Sequence, residues 1–267
     1  MRSFGLYIFV AWYKNFFVKF VKTFFLAPLY GIIKGTFLLP YRTKKRRDMV
    51  VMFRFRYAIL TVLFVCFAGL AAAEAAEVVK LPPPQASGGP GVFDMLRDRA
   101  SALGGSFPTG KVSHEELSTL LWAATGLNRP DRGWTVPMAM GREPYVRVYV
   151  TGEDGTFRYD WKTHSLIKTS NEDARKTISR QGFVENASHV LIFVQDTKAL
   201  EAFGARGADL GFGAAAVGAM TQSVYLAAEA LGIGTRYMVN LNPDVIRAIC
   251  GFDPADVPLC IMPIGKR

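Results

Sequence analysis

Cysteine and histidine are scarce in this chain, with three of each in 267 residues. No cluster of the two has the spacing of a metal site. Cys66 sits in the apolar core of the leader, and Leu63-Phe64-Val65 before it poorly matches a lipobox. Cys250 and Cys260 lie among Ile249, Phe252, Leu259 and Ile261. They read as buried small hydrophobes, the alternative being a disulfide in an oxidising compartment. His114 falls in the first turn of an expected helix and His164 in a ribbon turn. His189 opens an apolar strand, where a hydrogen bond to backbone is expected. None has a neighbour that would make a catalytic triad.

Net charge is missing from the folded part. The total is +10, but residues 1–48 carry ten basic residues and one acid, and residues 77–267 carry twenty of each sign. The basicity therefore belongs to the leader. No domain-wide field for phosphate backbones remains, which excludes a nucleic-acid partner.

The leader reads in two pieces. Met52–Arg56 is a short basic segment, Tyr57–Leu70 is uncharged and apolar, and Ala71–Ala76 offers small-residue cleavage sites. That order, over residues 49–76, is a signal peptide cut after Ala73 or Ala75. The alternative is an uncleaved anchor, although the apolar run is at the short edge for spanning. Residues 1–48 form a basic aromatic segment suited to a membrane surface. Met49 and Met52 stand where a signal peptide would start, so translation is expected to begin there. An exported, periplasmic protein follows, membrane-anchored if the leader is uncleaved. Residues 77–92, with LPPPQASGGP at their centre, read as a Pro/Gly-rich linker, and the folded domain as 93–267.

What is present is most telling in GAMTQSVYLAAEALGIGTRYMVNLNP, residues 218–243. A small-residue helix ends at Gly-Ile-Gly-Thr, and a new helix starts at Asn242-Pro243. Small residues let a planar cofactor or a second helix approach closely. Upstream, Ser113–Glu116 is a capping box for a helix ending at Gly126. Strands are expected at 145–151, 156–161, 165–168, 189–194, 236–239 and 257–264, with helices at 171–179 and 209–231. Residues 265–267 read as a tail. The class is α+β, a central mixed or antiparallel sheet flanked by helices.

These residues also carry a resemblance. Arg99-Ala100-Ser101, Glu116–Gly126, Asn186–Val190, Leu226–Ala228 with Leu231–Thr235, and Ile264-Gly265-Lys266 occur in the order of the FMN-dependent nitroreductase family. The chain resembles its dehydrogenase/oxidase branch, which includes peptide-azoline oxidases. The resemblance implies a nitroreductase-like homodimer with two FMN sites at the subunit interface. It implies that Arg97, Arg99 and Ser101 meet the FMN phosphate, with Lys266 and Arg267 as further cations. Val239 and Asn240 fall where backbone amides approach the flavin N5. Arg180 and Gln181 fall at the ring's carbonyl edge. Pro137, Met138 and Ala139 belong to a loop that reaches the partner's flavin. Met138, Gly141 and Glu143 depart there from the family's Ser, Asn and Gln. Trp134 and Tyr145 beside that loop are large aromatics that could stack on a planar substrate or fill core.

The implied activity is electron or hydride transfer from a donor, NAD(P)H or another, through FMN to a small-molecule acceptor. No catalytic side chain is required, because the cofactor carries the chemistry. The alternative is a flavin-binding or cofactor-free module of the same fold without turnover.

Overall fold

The computed structural model describes residues 76–129, 133–201 and 210–267. The segment 1–48 and the signal peptide, apart from Ala76, lie outside these residues. Among the described residues no helix is long and apolar enough to cross a membrane.

The elements in chain order are β1 (Val78–Lys80), α1 (Val92–Asp98), α2 (His114–Thr125), β2 (Val146–Gly152), β3 (Gly155–Asp160), β4 (Ser165–Ser170), β5 (His189–Gln195), α3 (Thr197–Glu201), α4 (Leu210–Ala230), β6 (Ile233–Thr235), α5 (Pro243–Cys250) and β7 (Val257–Lys266). Short 3-10 turns stand at Gly104–Ser106, Ala139–Gly141 and Gly182–Asn186. The strands form one sheet in the order β1-β4-β3-β2-β5-β7-β6. Every neighbouring pair is antiparallel. The class is α+β, as expected, with the antiparallel form of the sheet.

The apolar run of β5 is explained by its position. Side chains alternate across a strand. Leu191 and Phe193 join a core with Leu117, Leu120, Leu121, Val217, Met220 and Val224 of α2 and α4. Val190, Ile192 and Val194 point to a second core with Ile178, Val184, Ile246 and Ile249. Both faces of the sheet are thus covered, and a strand buried on both faces needs no polar alternation.

Helix ends follow local chemistry. Ser113 Oγ accepts from the Glu116 N–H at 3.2 Å, and Glu116 Oε2 accepts from the Ser113 N–H at 2.9 Å. Both arms of the capping box are therefore made. Asn242 caps α5, with Pro243 in its first turn. Gly251 ends α5 at φ 63°, a left-handed conformation that only glycine adopts without strain.

Four expectations are corrected. The stretch read as linker supplies β1, and Leu81 is 3% exposed. The Pro82 carbonyl accepts from Ser118 Oγ at 2.5 Å and lies 3.0 Å from His164 Nε2. An edge strand tolerates the prolines that follow it, since their missing N–H groups are not needed for a ladder. Residues 171–179 form turns rather than a helix: Asp173 Oδ1 accepts from the Arg175 N–H at 3.1 Å, a side-chain bond that competes with helical pairing. The strand expected at 236–239 lies earlier, at β6, and only Met238 bridges to Ile261. Gly232, at φ 67°, turns the chain out of α4 directly into that strand. Finally, Gly265 and Lys266 complete β7 and are not a tail.

Candidate functional site

The sequence-derived residues around Arg99 and Asn240 are drawn together by one that sequence reasoning missed, Tyr225. It stands on α4 and is 8% exposed. Its hydroxyl lies 2.7 Å from Ser101 Oγ and accepts the Tyr237 N–H at 2.7 Å. The Arg99 guanidinium lies over its ring, 5.2 Å from the centroid. A large aromatic with a polar tip inside a small-residue helix was the available signal.

The four candidate cations are not equivalent. Arg97 lies in the last turn of α1, and it pairs with Asp94 at 3.1 Å and Asp98 at 2.8 Å. Arg267 makes two hydrogen bonds to Glu229, at 2.8 and 2.6 Å. Lys266 Nζ donates to Glu116 and, at 2.6 Å, to the Leu231 carbonyl at the end of α4. Burial opposes the Glu116 charge, but Lys266 and the Ser113 N–H outweigh it and hold the carboxyl below its usual range. Among the described residues Arg99 makes no salt bridge, although its charge reaches Glu229, so of the four it is the cation least committed to a carboxylate. Ser101 beside it is exposed.

The chain continues from Tyr237 to Val239 and Asn240. Val239 is 68% exposed. No acceptor meets the Val239 or Asn240 N–H among the described residues. Ser179 Oγ donates to the Asn240 carbonyl at 2.8 Å, and Asn240 Oδ1 accepts from the Arg180 N–H at 3.3 Å. The Gln181 N–H in turn donates to Ser179 Oγ at 3.2 Å. Arg99, Ser101, Val239, Asn240 and Gln181 therefore lie along one strip that Tyr225 and Tyr237 connect.

The loop of Pro137, Met138 and Ala139 is elsewhere. The Ala139 N–H donates to the Tyr145 hydroxyl at 3.3 Å, and the Tyr145 carbonyl accepts from Asp196 just past β5. Ala102, next to the Arg99–Ser101 segment, donates to Thr235, which pairs with Ile264 opposite His189 at the other end of β5. The ends of β5 are six residues apart, about 20 Å. Within one protomer the loop thus meets one end of β5 and the Arg99–Ser101 segment the other. Met138 is 7% exposed and packs in the core, while Pro137 is exposed. Glu143 reaches Lys162 at 3.0 Å. Trp134 is half-buried and packs edge-on against Trp161, and Tyr145, 3% exposed, fills core.

Two cavities, of about 280 and 520 Å³, flank the β2–β3 turn and share His114, Asp154 and His189. No candidate residue lines either. His189 bonds Ser188 Oγ at 3.0 Å rather than backbone, and burial pushes its pKa down to about 4. Both sulfhydryls are free and buried, without a disulfide. Among the described residues no group of His, Cys, Asp and Glu is placed to hold a metal.

The donor set suits a phosphorylated flavin. It offers an unpaired guanidinium and a hydroxyl for a dianion, then free backbone amides and a Gln–Asn edge for a polar ring.

Comparison with known proteins identifies the family. Residues 106–266, more than half of the chain, match the Nitroreductase family. A protein of Methanocaldococcus jannaschii assigned to the nitroreductases is 31% identical over 185 residues, covering 65% of this chain and 90% of that protein. The crystal structure of a nitroreductase-type protein from Ralstonia eutropha JMP134 is 30% identical, with a TM-score of 0.65, over 73% of this chain and 92% of that one. The Escherichia coli microcin synthetase McbBCD complex shares the fold, with 17% identity, a TM-score of 0.54 and coverage of 75% and 81%. By the match along its own length, this chain belongs to the nitroreductase family of oxidoreductases.

Proposed function

We propose that the protein is an exported FMN-dependent oxidoreductase that works as a homodimer. The observation that carries this reading is the strip from Arg99 and Ser101 to Val239 and Asn240, where unpaired donors of the right kinds follow one another. Arg99 and Ser101 would hold the phosphate by charge-assisted hydrogen bonds. The Val239 and Asn240 amides would face the ring, and Gln181 its carbonyl edge. When bound, FMN would supply the redox chemistry, receiving electrons or hydride from a nicotinamide or other donor and delivering them to a small acceptor.

The dimer rests on two observations. Within one protomer the loop of Pro137–Ala139 is tied through Tyr145 to the Gln195 end of β5, and Ala102 through Thr235 to the His189 end, about 20 Å away, so a second copy would supply the loop beside Arg99 and Ser101. Exposed apolar side chains also surround the strip: Phe93, Leu96, Leu103 and Val239 are 83%, 51%, 70% and 68% exposed. On α4, Ala214, Ala215, Gly218 and Gln222 are exposed at helical spacing, a surface narrow enough for another helix to pack closely. Fully exposed, such apolar surface favours association.

The test is flavin content and mass of the purified chain. A yellow dimer that bleaches anaerobically with a reductant and recovers with an acceptor supports the proposal. A yellow protein that cannot be reduced supports a binding module instead. A colourless monomer that takes up no added FMN overturns the reading. Recovery of the protein from the cytoplasmic fraction, leader intact, would overturn export alone.

A further inference from the structure

We infer that Tyr225 sets the polarity of the Ser101 hydroxyl, and thereby makes the site select phosphorylated over unphosphorylated flavin. The inference rests on the flavin reading above and concerns a residue outside the sequence motifs of the site.

The argument is a proton count. A phenol has one proton to give and lone pairs to accept with. One lone pair of Tyr225 Oη takes the Tyr237 N–H, at 2.7 Å. The remaining contact, 2.7 Å to Ser101 Oγ, can run either way. If Ser101 donates, the Tyr225 proton has no acceptor among the described residues, on a side chain that is 8% exposed. A buried donor left unmade is costly. If Tyr225 donates, every group is satisfied and the Ser101 proton is left over. Ser101 is exposed, so its O–H turns outward. The Arg99 guanidinium rests on the same tyrosine ring. Tyr225 thus presents a hydroxyl donor and a fixed cation side by side, the pair that a phosphate monoester needs. It also ties the Tyr237 backbone to that pair, so the anion end and the ring end of the strip move as one unit. Tyr225 is a positioning residue: it acts through Ser101 and need not touch the ligand.

The experiment uses the full chain stripped of flavin and titrated with FMN and with riboflavin, following quenching of flavin fluorescence. The readout is the ratio of the two dissociation constants. Tyr225→Phe lowers the preference for FMN about tenfold, as expected for a charge-assisted hydrogen bond. Ser101→Ala lowers it by a similar factor. The double variant lowers it no further, because both changes remove one interaction. An unchanged ratio in Tyr225→Phe, or losses that multiply in the double variant, overturns the inference while leaving the flavin reading intact. A parent chain that binds neither flavin overturns both. If Tyr225→Phe fails to fold, Ser101→Thr, which keeps the hydroxyl, is expected to retain the preference that Ser101→Ala loses. A preference unaffected by Ser101→Ala refutes the role.

Discussion

Acidification is expected to weaken this fold through His189. The imidazole opens β5 opposite Gly152, where an added Cβ would come within 2.7 Å of its Cδ2. Its Nδ1 bonds Ser188 Oγ, which also accepts the Val112 N–H at 2.9 Å. Burial is the main cause of its low pKa, about 4; Arg175 and His114 push the same way, while Asp154 and Glu153 oppose. In the unfolded chain the value is the ordinary 6.5. A base held neutral in the native state gives stability that is complete above pH 6.5 and is lost as the pH falls toward 4. With those two values, native stability at pH 5 is about 2 kcal/mol lower than at pH 7.5. His164, also lowered chiefly by burial, adds loss of the same sign. Carboxylates held low, such as Glu116, lose their contribution only at lower pH. The assay is urea unfolding at pH 7.5, 6 and 5, comparing the parent with His189→Asn, whose amide oxygen can still accept from Ser188. The variant should lack about 2 kcal/mol of the parent's pH dependence, whatever its stability at pH 7.5. Equal slopes in the two proteins would refute the reasoning.

Other outcomes follow from single contacts. Arg99→Ala should weaken FMN binding at least tenfold and riboflavin binding little, whereas Arg97→Ala, already paired within α1, should leave both unchanged; fluorescence titration separates them. Lys266→Met leaves Glu116 Oε1 and the Leu231 carbonyl without the donor they share, and thermal unfolding should show a loss of about 1–3 kcal/mol. Ser113→Ala removes one arm of the capping box and should cost about 1 kcal/mol in the same assay. A chain begun at residue 93 loses β1, the burial of Leu81 and the Pro82 carbonyl that Ser118 donates to; urea unfolding should place it at least 2 kcal/mol below a chain begun at residue 77, by analogy with the cost of emptying a leucine site.

Features with a local cause were legible in the sequence. The capping box at Ser113, the Asn242-Pro243 start and the run of β5 each reflect chemistry within a few residues, and each element formed where expected. Val78–Lys80 was not legible, because its strand character comes from pairing with Ile167, Leu166 and Ser165 across the chain, while the prolines and glycines that follow it speak for a loop. Residues 171–179 misled because Ala174 and Ile178 have helical spacing, yet each is buried from a turn. In the site, Arg99 and Ser101 were found through a motif, but that motif could not distinguish Arg99 from Arg97, Lys266 or Arg267. That distinction depends on where Asp94, Asp98, Glu116 and Glu229 fall in space. Tyr225 was missed for the same reason: its partner Ser101 is 124 positions away.

The place of Val257–Lys266 between β5 and β6 constrains how this polypeptide can mature. It is the last of the described strands in chain order, yet it fills an interior place, between β5 and the edge strand β6. Until it emerges, the His189–Gln195 stretch presents a bare and strongly apolar margin, an invitation to stray pairing. A chain that emerges from its N-terminus holds that margin open from the appearance of Gln195 until Val257 follows. Shielding of β5 by a holdase until β7 arrives would therefore suppress the misassembly that this topology invites.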